Sequence, residues 1–151
     1  MDYNFFMQEA LKEAKKAYDI GEVPIGCVIE YKGEIIARAY NQRNFKGNVL
    51  CHAEIIAINN ACQKLKDWRL EGSTIYVTVE PCAMCSGAIL QSRIDKVVFG
   101  VFNNKGGCCG SILNILNNEK FNHRAEIISG ILEDECRELM QSFFKDIRNK
   151  K

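Results

Sequence analysis

Apolar residues recur every three to four positions over the first twenty residues. Phe6, Ala10, Leu11, Ala14, Ala17 and Tyr18 share one face while Glu and Lys fill the other, which predicts an amphipathic helix from Asn4 to Ile20, ended by Gly21. The pattern then becomes that of a strand, Val23 to Glu30, with Pro24 near its start, where a missing N–H is tolerated. Glu34 to Tyr40 is its hairpin partner across the turn Tyr31-Lys32-Gly33. Asn41 to Leu50 is polar, has no period and reads as a loop. His52 to Leu65 predicts a helix with Ile55, Ile56, Ile58, Ala61, Cys62 and Leu65 as its apolar side, and Trp68 and Leu70 are expected to close the core behind it. Thr74 to Glu80 is β-branched and aromatic, hence a strand. Pro81 stops it, and Cys82 to Gln91 predicts a helix. Lys96 to Val101 is a short apolar run, consistent with a strand buried on both faces. Asn103 to Ser111 is a glycine-rich loop, Ile112 to Leu116 a short helix and Glu126 to Ile128 a short strand. Leu132, Cys136, Leu139, Met140 and Phe143 mark the inner face of a last helix, which ends in a basic tail from Lys145 to Lys151.

Helix, hairpin, helix, strand, helix, strand and further helix is the order of an α/β protein: a three-layer α/β/α sandwich around a mixed sheet, five-stranded when Glu126 to Ile128 is counted. No repeat or linker interrupts the chain, so residues 1–151 are expected to form one domain, and 151 residues suffice for a sizeable core.

Composition narrows the function classes. A net charge of +1 gives no bulk electrostatic case for nucleic-acid binding, so any such surface must be a local patch. No apolar run approaches the ~20 residues that cross a bilayer, and the N-terminus lacks the basic start and apolar run of a secretion signal. Eight cysteines suit either a disulfide framework or a reduced protein with metal or redox chemistry. With no secretion signal and a domain large enough to do without staples, the reading is cytoplasmic and reduced. Cys27, Cys62 and Cys136 fall in apolar-patterned segments and read as small buried hydrophobes.

Two stretches carry the chemistry. Cys51-His52-Ala53-Glu54 offers an imidazole and, two residues on, a carboxylate; Pro81-Cys82-Ala83-Met84-Cys85 offers two thiols three residues apart. Alone, the paired cysteines fit a redox pair, a structural metal or chance, and His52 and Glu54 fit a capping residue and a solvated charge. Together they supply three ligands of the kinds zinc prefers, and a fourth position left to water marks a catalytic rather than a structural site. Zinc lowers the pKa of bound water towards ~7. Glu54 is then the candidate to take the proton and pass it on. A fourth ligand from Cys51, Cys108 or Cys109 would instead close the site. Both stretches fall where a helix begins, which favours thiolates.

These residues resemble the signature of the zinc-dependent nucleobase deaminases. Gly21-Glu22-Val23-Pro24-Ile25-Gly26, Ser92-Arg93-Ile94, Val97-Val98-Phe99-Gly100, Lys105-Gly106-Gly107 and Asn122-His123-Arg124 look more narrowly like the bacterial tRNA-specific adenosine deaminases, over about residues 5 to 148. The resemblance implies a cytidine deaminase-like fold and one zinc per subunit on His52, Cys82 and Cys85. It implies hydrolysis of adenosine to inosine at the wobble position of a tRNA anticodon, by zinc-activated hydroxide with Glu54 as proton shuttle. It also implies a homodimer with the anticodon stem-loop as partner, no membrane association, and Asn41, Asn103, Lys105 and Phe144 as substrate-binding residues. Asn41 would meet the flipped base, Lys105 a phosphate, and Phe144 would stack on RNA. His123 is expected to be a structural hydrogen-bonding residue, and Phe143 part of the core stripe. A small-molecule guanine or cytosine/cytidine deaminase is the alternative.

Several positions depart from the family's pattern, among them Asn48 to Cys51, where a proline, a threonine and an alanine are usual. Cys51 stands where an alanine is usual, and Asn103 where an aspartate is usual. An amide there removes a negative charge beside phosphate, so reduced discrimination between tRNA and DNA is expected.

Overall fold

The computed structural model describes residues 2–150. Helix α1 (Tyr3–Asp19) starts where the Asp2 carboxylate accepts the Phe5 N–H at 3.0 Å, which satisfies one of the orphan donors of the first turn. Strands β1 (Gly26–Tyr31) and β2 (Glu34–Tyr40) form an antiparallel hairpin. A one-turn helix α2 (Arg43–Lys46) leads into α3 (Ala53–Leu65). Then come β3 (Ser73–Val79), α4 (Ala83–Gln91), β4 (Lys96–Val101), β5 (Glu126–Ile128) and α5 (Glu133–Asn149). The strand order is β2-β1-β3-β4-β5, antiparallel from β2 to β3 and parallel from β3 to β5. A parallel β3–β4 pair needs a crossover, and α4 supplies it.

Alternation along the central strands divides the core into two layers. Val28, Tyr76 and Val98 pack with Phe6, Met7, Ala10 and Leu11 of α1 and with Cys136 of α5. Their neighbours Cys27, Ile29, Ile75, Val77, Val97 and Phe99 pack on the other face with α3 and α4. The result is the expected mixed five-stranded α/β/α sandwich. Helix α1 crosses β1 so closely that a Cβ at Gly26 would lie 2.0 Å from the Ala10 carbonyl oxygen, so only glycine fits there.

Register gathers one end of the sheet. Gly26 pairs with Tyr40 and Val79 with Val101. The Asn41 N–H then reaches the Ile25 carbonyl at 3.0 Å, and the Glu80 N–H reaches the Val101 carbonyl at 2.9 Å. The residues just beyond these strand ends, Ile25, Asn41, Glu80 and Asn103, are thereby drawn together, beside the starts of α3 and α4.

Several local expectations are corrected. β1 begins at Gly26 rather than Val23, because Ile25 donates back to the Val23 carbonyl at 2.9 Å and the segment turns instead of pairing. The loop from Asn41 contains α2. Ile112 to Leu116 is not helical; it folds back through a bridge between Cys109 and Asn114. Trp68 does not close the core but stands 59% exposed under the guanidinium groups of Arg69 and Arg93, while Leu70 is buried as expected. On α3 the alanines Ala53, Ala57 and Ala61 are fully buried, while Ile56, Ile58, Cys62 and Leu65 pack against the core half-buried and Ile55 does not join it. Small residues let α3 lie close on the sheet and push the larger ones to its flanks. The basic tail continues α5 to Asn149. Cys27 and Cys136 are buried, and all eight thiols are free. No helix is long and apolar enough to cross a membrane among the described residues.

Candidate active site

His52 is the N-cap residue of α3 and Cys82 that of α4. Each has extended backbone, so its side chain leaves the helix end and turns toward the gap between the two helices. Cys85, one turn into α4, faces the same gap. The His52 Nδ1 lies 3.7 Å from the Cys82 sulfur and 3.5 Å from the Cys85 sulfur, and the three atoms fall within 4.8 Å of one another. Tetrahedral ligands at zinc–sulfur and zinc–nitrogen bond lengths stand roughly 3.6 Å apart, so the spacing fits a single ion. Among the described residues this group has three members. Cys51 is not one of them. Cys108 Sγ lies 3.7 Å from the Gly106 carbonyl and Cys109 Sγ lies 3.4 Å from the Ser86 hydroxyl. The donor set is therefore open rather than closed by a fourth thiol.

The electrostatics of the triangle suit cation binding. The Cys85 thiol, and after it the His52 imidazole, stabilise a thiolate on Cys82 and push it down to about 4 against the opposing effect of burial. The same hydrogen bond to Cys82 raises the His52 imidazole above its ordinary value. Cys85 is driven up, first by sharing its proton with Cys82 and then by burial.

Glu54, in the first turn of α3, is 4% exposed. Burial dominates its environment and pushes its carboxyl up to about 7. It lines a cavity of about 120 Å³ together with His52, Cys82, Asn41, Arg43, Val23, Ile25, Glu80 and Asn103. Asn41 is buried there; its Nδ2 donates to the Val23 carbonyl at 3.2 Å and its Oδ1 accepts the Arg43 N–H at 3.2 Å. A wider groove of about 540 Å³ shares Val23, Ile25, Val79 and Asn103 with this cavity and adds Lys105, Phe102, Arg137 and Phe144. Every candidate site residue read from the sequence except Cys85, which is fully buried, thus lines one of two adjoining hollows, with Asn103 in both. Phe143 is buried against Tyr18. His123 lies outside, with its Nε2 2.7 Å from the Ile94 carbonyl, as a structural residue.

Sequence reasoning passed over Glu80. Its carboxylate accepts the N–H groups of Asn103, Cys109 and Ser111, each at 3.0 Å, and the Ser111 hydroxyl. Burial raises this carboxyl, but the donors, Ser111 first, outweigh it and the net shift is downward. The signal was a charged residue ending an otherwise apolar strand, directly before Pro81.

A family model described as MafB19-like deaminase matches residues 1–148. A tRNA-specific adenosine deaminase from Bacillus subtilis (strain 168) is 55% identical over 146 residues, 97% of this chain and 91% of that protein. A solved structure from a study of A-to-I editing by tRNA:A34 deaminases superposes with a TM-score of 0.86 at 39% identity, covering 89% of this chain and 98% of the other. The guanine deaminase of B. subtilis superposes with a TM-score of 0.64 at 33% identity, over 68% of this chain and 66% of that one. Similarity along nearly the whole chain, a span that contains His52, Cys82 and Cys85, places this protein in the family of tRNA-specific adenosine deaminases.

Proposed function

We propose that this chain hydrolyses adenosine to inosine at the wobble position of a tRNA anticodon, with Glu54 as its acid/base residue. The observation that carries the reading is the His52–Cys82–Cys85 triangle with a buried carboxyl beside it in a small cavity. Two sulfurs and one imidazole nitrogen suit zinc, which would supply the Lewis acidity that makes water a nucleophile at neutral pH. The chain's own residues do the rest. Glu54, near neutrality between its two protonation states, takes a proton from the attacking water and delivers it to N1 of adenine. The proton left on the hydroxyl added at C6 then passes to the C6 amino group as the C–N bond breaks, so water and adenosine become inosine and ammonia.

Asn41 holds the base edge. Its amide keeps one N–H and one lone pair beyond those used on Val23 and Arg43, which matches an edge that both donates and accepts. Asn103, Lys105 and Phe144 line the adjoining groove, where Lys105 meets a phosphate and Phe144 stacks on a neighbouring base. We also propose that residues 1–151 act as one domain in the cytoplasm and as a homodimer. Exposed Val49, Leu50, Ile112 and Leu113 offer apolar surface for a second copy.

The test is ammonia release on an anticodon stem-loop with adenosine at the wobble position, beside free adenosine, guanine and cytidine, with zinc content and mass by light scattering on the same sample. The expected result is turnover on the stem-loop alone, about one zinc per chain and a dimer mass; each quantity tests its own part of the proposal. Turnover confined to free guanine or cytidine would replace the tRNA reading with a small-molecule deaminase. Glu54→Gln is expected to lose at least about 10³-fold in kcat while retaining zinc; undiminished turnover would remove Glu54 from the mechanism.

A further inference from the structure

We infer that Glu80 is a positioning residue for substrate recognition: its carboxylate fixes the 103–111 loop as a wall of the substrate cavity. The inference rests on the substrate reading above for its kinetic part only. Glu80 stands between Val79, the last residue of β3, and Pro81-Cys82, so it hangs from the same strand end as the metal triangle. From there it reaches across to β4's continuation. Its two oxygens take four donors that span the loop, the N–H groups of Asn103, Cys109 and Ser111 and the Ser111 hydroxyl. A carboxylate, which only accepts, is the side chain that can satisfy four converging donors.

The loop is shaped to this group. Gly107 passes so close that a Cβ there would lie 2.2 Å from the Glu80 carboxyl carbon and 2.3 and 2.5 Å from its oxygens. A side chain at 107 and a fixed carboxylate at 80 exclude each other. Two further bonds tie the loop to the start of α4: the Cys108 N–H donates to the Pro81 carbonyl at 2.9 Å, and the Ser86 hydroxyl meets Cys109 Sγ at 3.4 Å. These bonds would survive loss of Glu80, so the loop would loosen at Asn103 and Ser111 rather than detach. Asn103 lines both hollows and Lys105 the outer one, and their placement is what Glu80 controls. His52 and Glu54 belong to α3 and Cys85 to α4, and Glu80 makes no hydrogen bond to any of them.

The test compares Glu80→Gln, Gly107→Ala, Glu80→Ala and the double variant Glu80→Ala/Gly107→Ala with the parent. The first readout needs no substrate. Amide hydrogen exchange is expected to speed up at least tenfold in Glu80→Gln on the side its amide nitrogen takes, at Asn103 or at Cys109 and Ser111, because N–H is there brought against N–H, while zinc content stays at the parent's level. The second readout is the stem-loop assay. KM is expected to rise roughly tenfold with kcat within about threefold, the scale set by leaving one buried donor unsatisfied. Gly107→Ala is expected to reproduce both effects in the parent but to add less than about twofold in the Glu80→Ala background, where the space is free. Unchanged exchange in Glu80→Gln, loss of zinc with it, a fall in kcat at constant KM, or equal cost of Gly107→Ala in both backgrounds would each overturn the assignment. Failure of the stem-loop assay in the parent with the exchange pattern as expected would instead count against the substrate reading.

Discussion

Two buried carboxylates line the same cavity and have been driven in opposite directions. Burial works against charge on both Glu54 and Glu80. On the α3 wall little offsets it, and the Glu54 carboxyl rises to about 7. On the wall built by the 103–111 loop, three backbone N–H groups and a hydroxyl offset it, and the Glu80 carboxyl falls below its ordinary value. Glu80 has converging donors that Glu54 lacks, and Glu54 is also the more heavily desolvated of the two. This difference divides the work: a carboxyl close to neutrality can trade a proton, while one held ionised can only hold a structure in place.

The largest break in this comparison comes from removing the feature the two walls share. Cys85→Ala is expected to lose the metal and with it all measurable deamination, since two ligands cannot hold a catalytic zinc; zinc content after gel filtration against buffer checks this. A variant with full zinc occupancy would exclude Cys85 as a ligand.

A smaller effect sharpens the contrast through pH, in metal-free protein. Glu54 is raised in the folded chain, so its contribution to stability is fully present below 4.5 and is lost as pH rises through about 7. Glu80 is lowered, so its contribution is present above 4.5 and is lost as pH falls through its folded value. Glu54→Gln is therefore expected to raise the urea midpoint at pH 8 more than at pH 5. Glu80→Gln is expected to lower it at pH 7 and to lower it less as the medium becomes acid. The same sign for both variants at both ends of the range would mean that the two environments do not differ as described.

The smallest expected effect is one of selectivity on the Glu80 wall. Asn103→Asp restores a negative charge beside the groove, and the ratio of RNA to DNA stem-loop turnover is expected to rise severalfold over the parent. Equal ratios would show that the amide at 103 has no part in discrimination.

The motif halves were legible because each is short in sequence and its spacing is fixed by a helix start. Cys82 and Cys85 stand three apart on one side of a first turn, and His52 and Glu54 stand two apart at a helix start, whatever the rest of the chain does. Helix α1 and the central strands were legible for the same reason, as local periodicity. What misled was local pattern without its tertiary setting. Ile56, Ile58, Cys62 and Leu65 do pack against the core from the flanks of α3, as expected, but its centre is taken by Ala53, Ala57 and Ala61, since close packing on the sheet selects for small size. Trp68 looked like a core residue by its type, yet two arginines hold it at the surface. Glu80 was invisible as a functional residue, because its partners lie 23 to 31 positions further on, in a loop without any periodic signal.

The sequence by itself determined the ligand types, the acid/base candidate, the order of elements and the resemblance that ties them to a chemistry. All of these are carried by neighbours in the chain. Only the tertiary structure decided that the metal triangle is open, with the thiols of Cys108 and Cys109 turned to other partners. It alone decided that Asn41, Asn103, Lys105 and Phe144 reach one pair of hollows, and that two glutamates with the same intrinsic acidity are shifted in opposite directions. The reason is physical: desolvation and hydrogen-bond donors are properties of a position in space, and sheet register sets which distant residues share one.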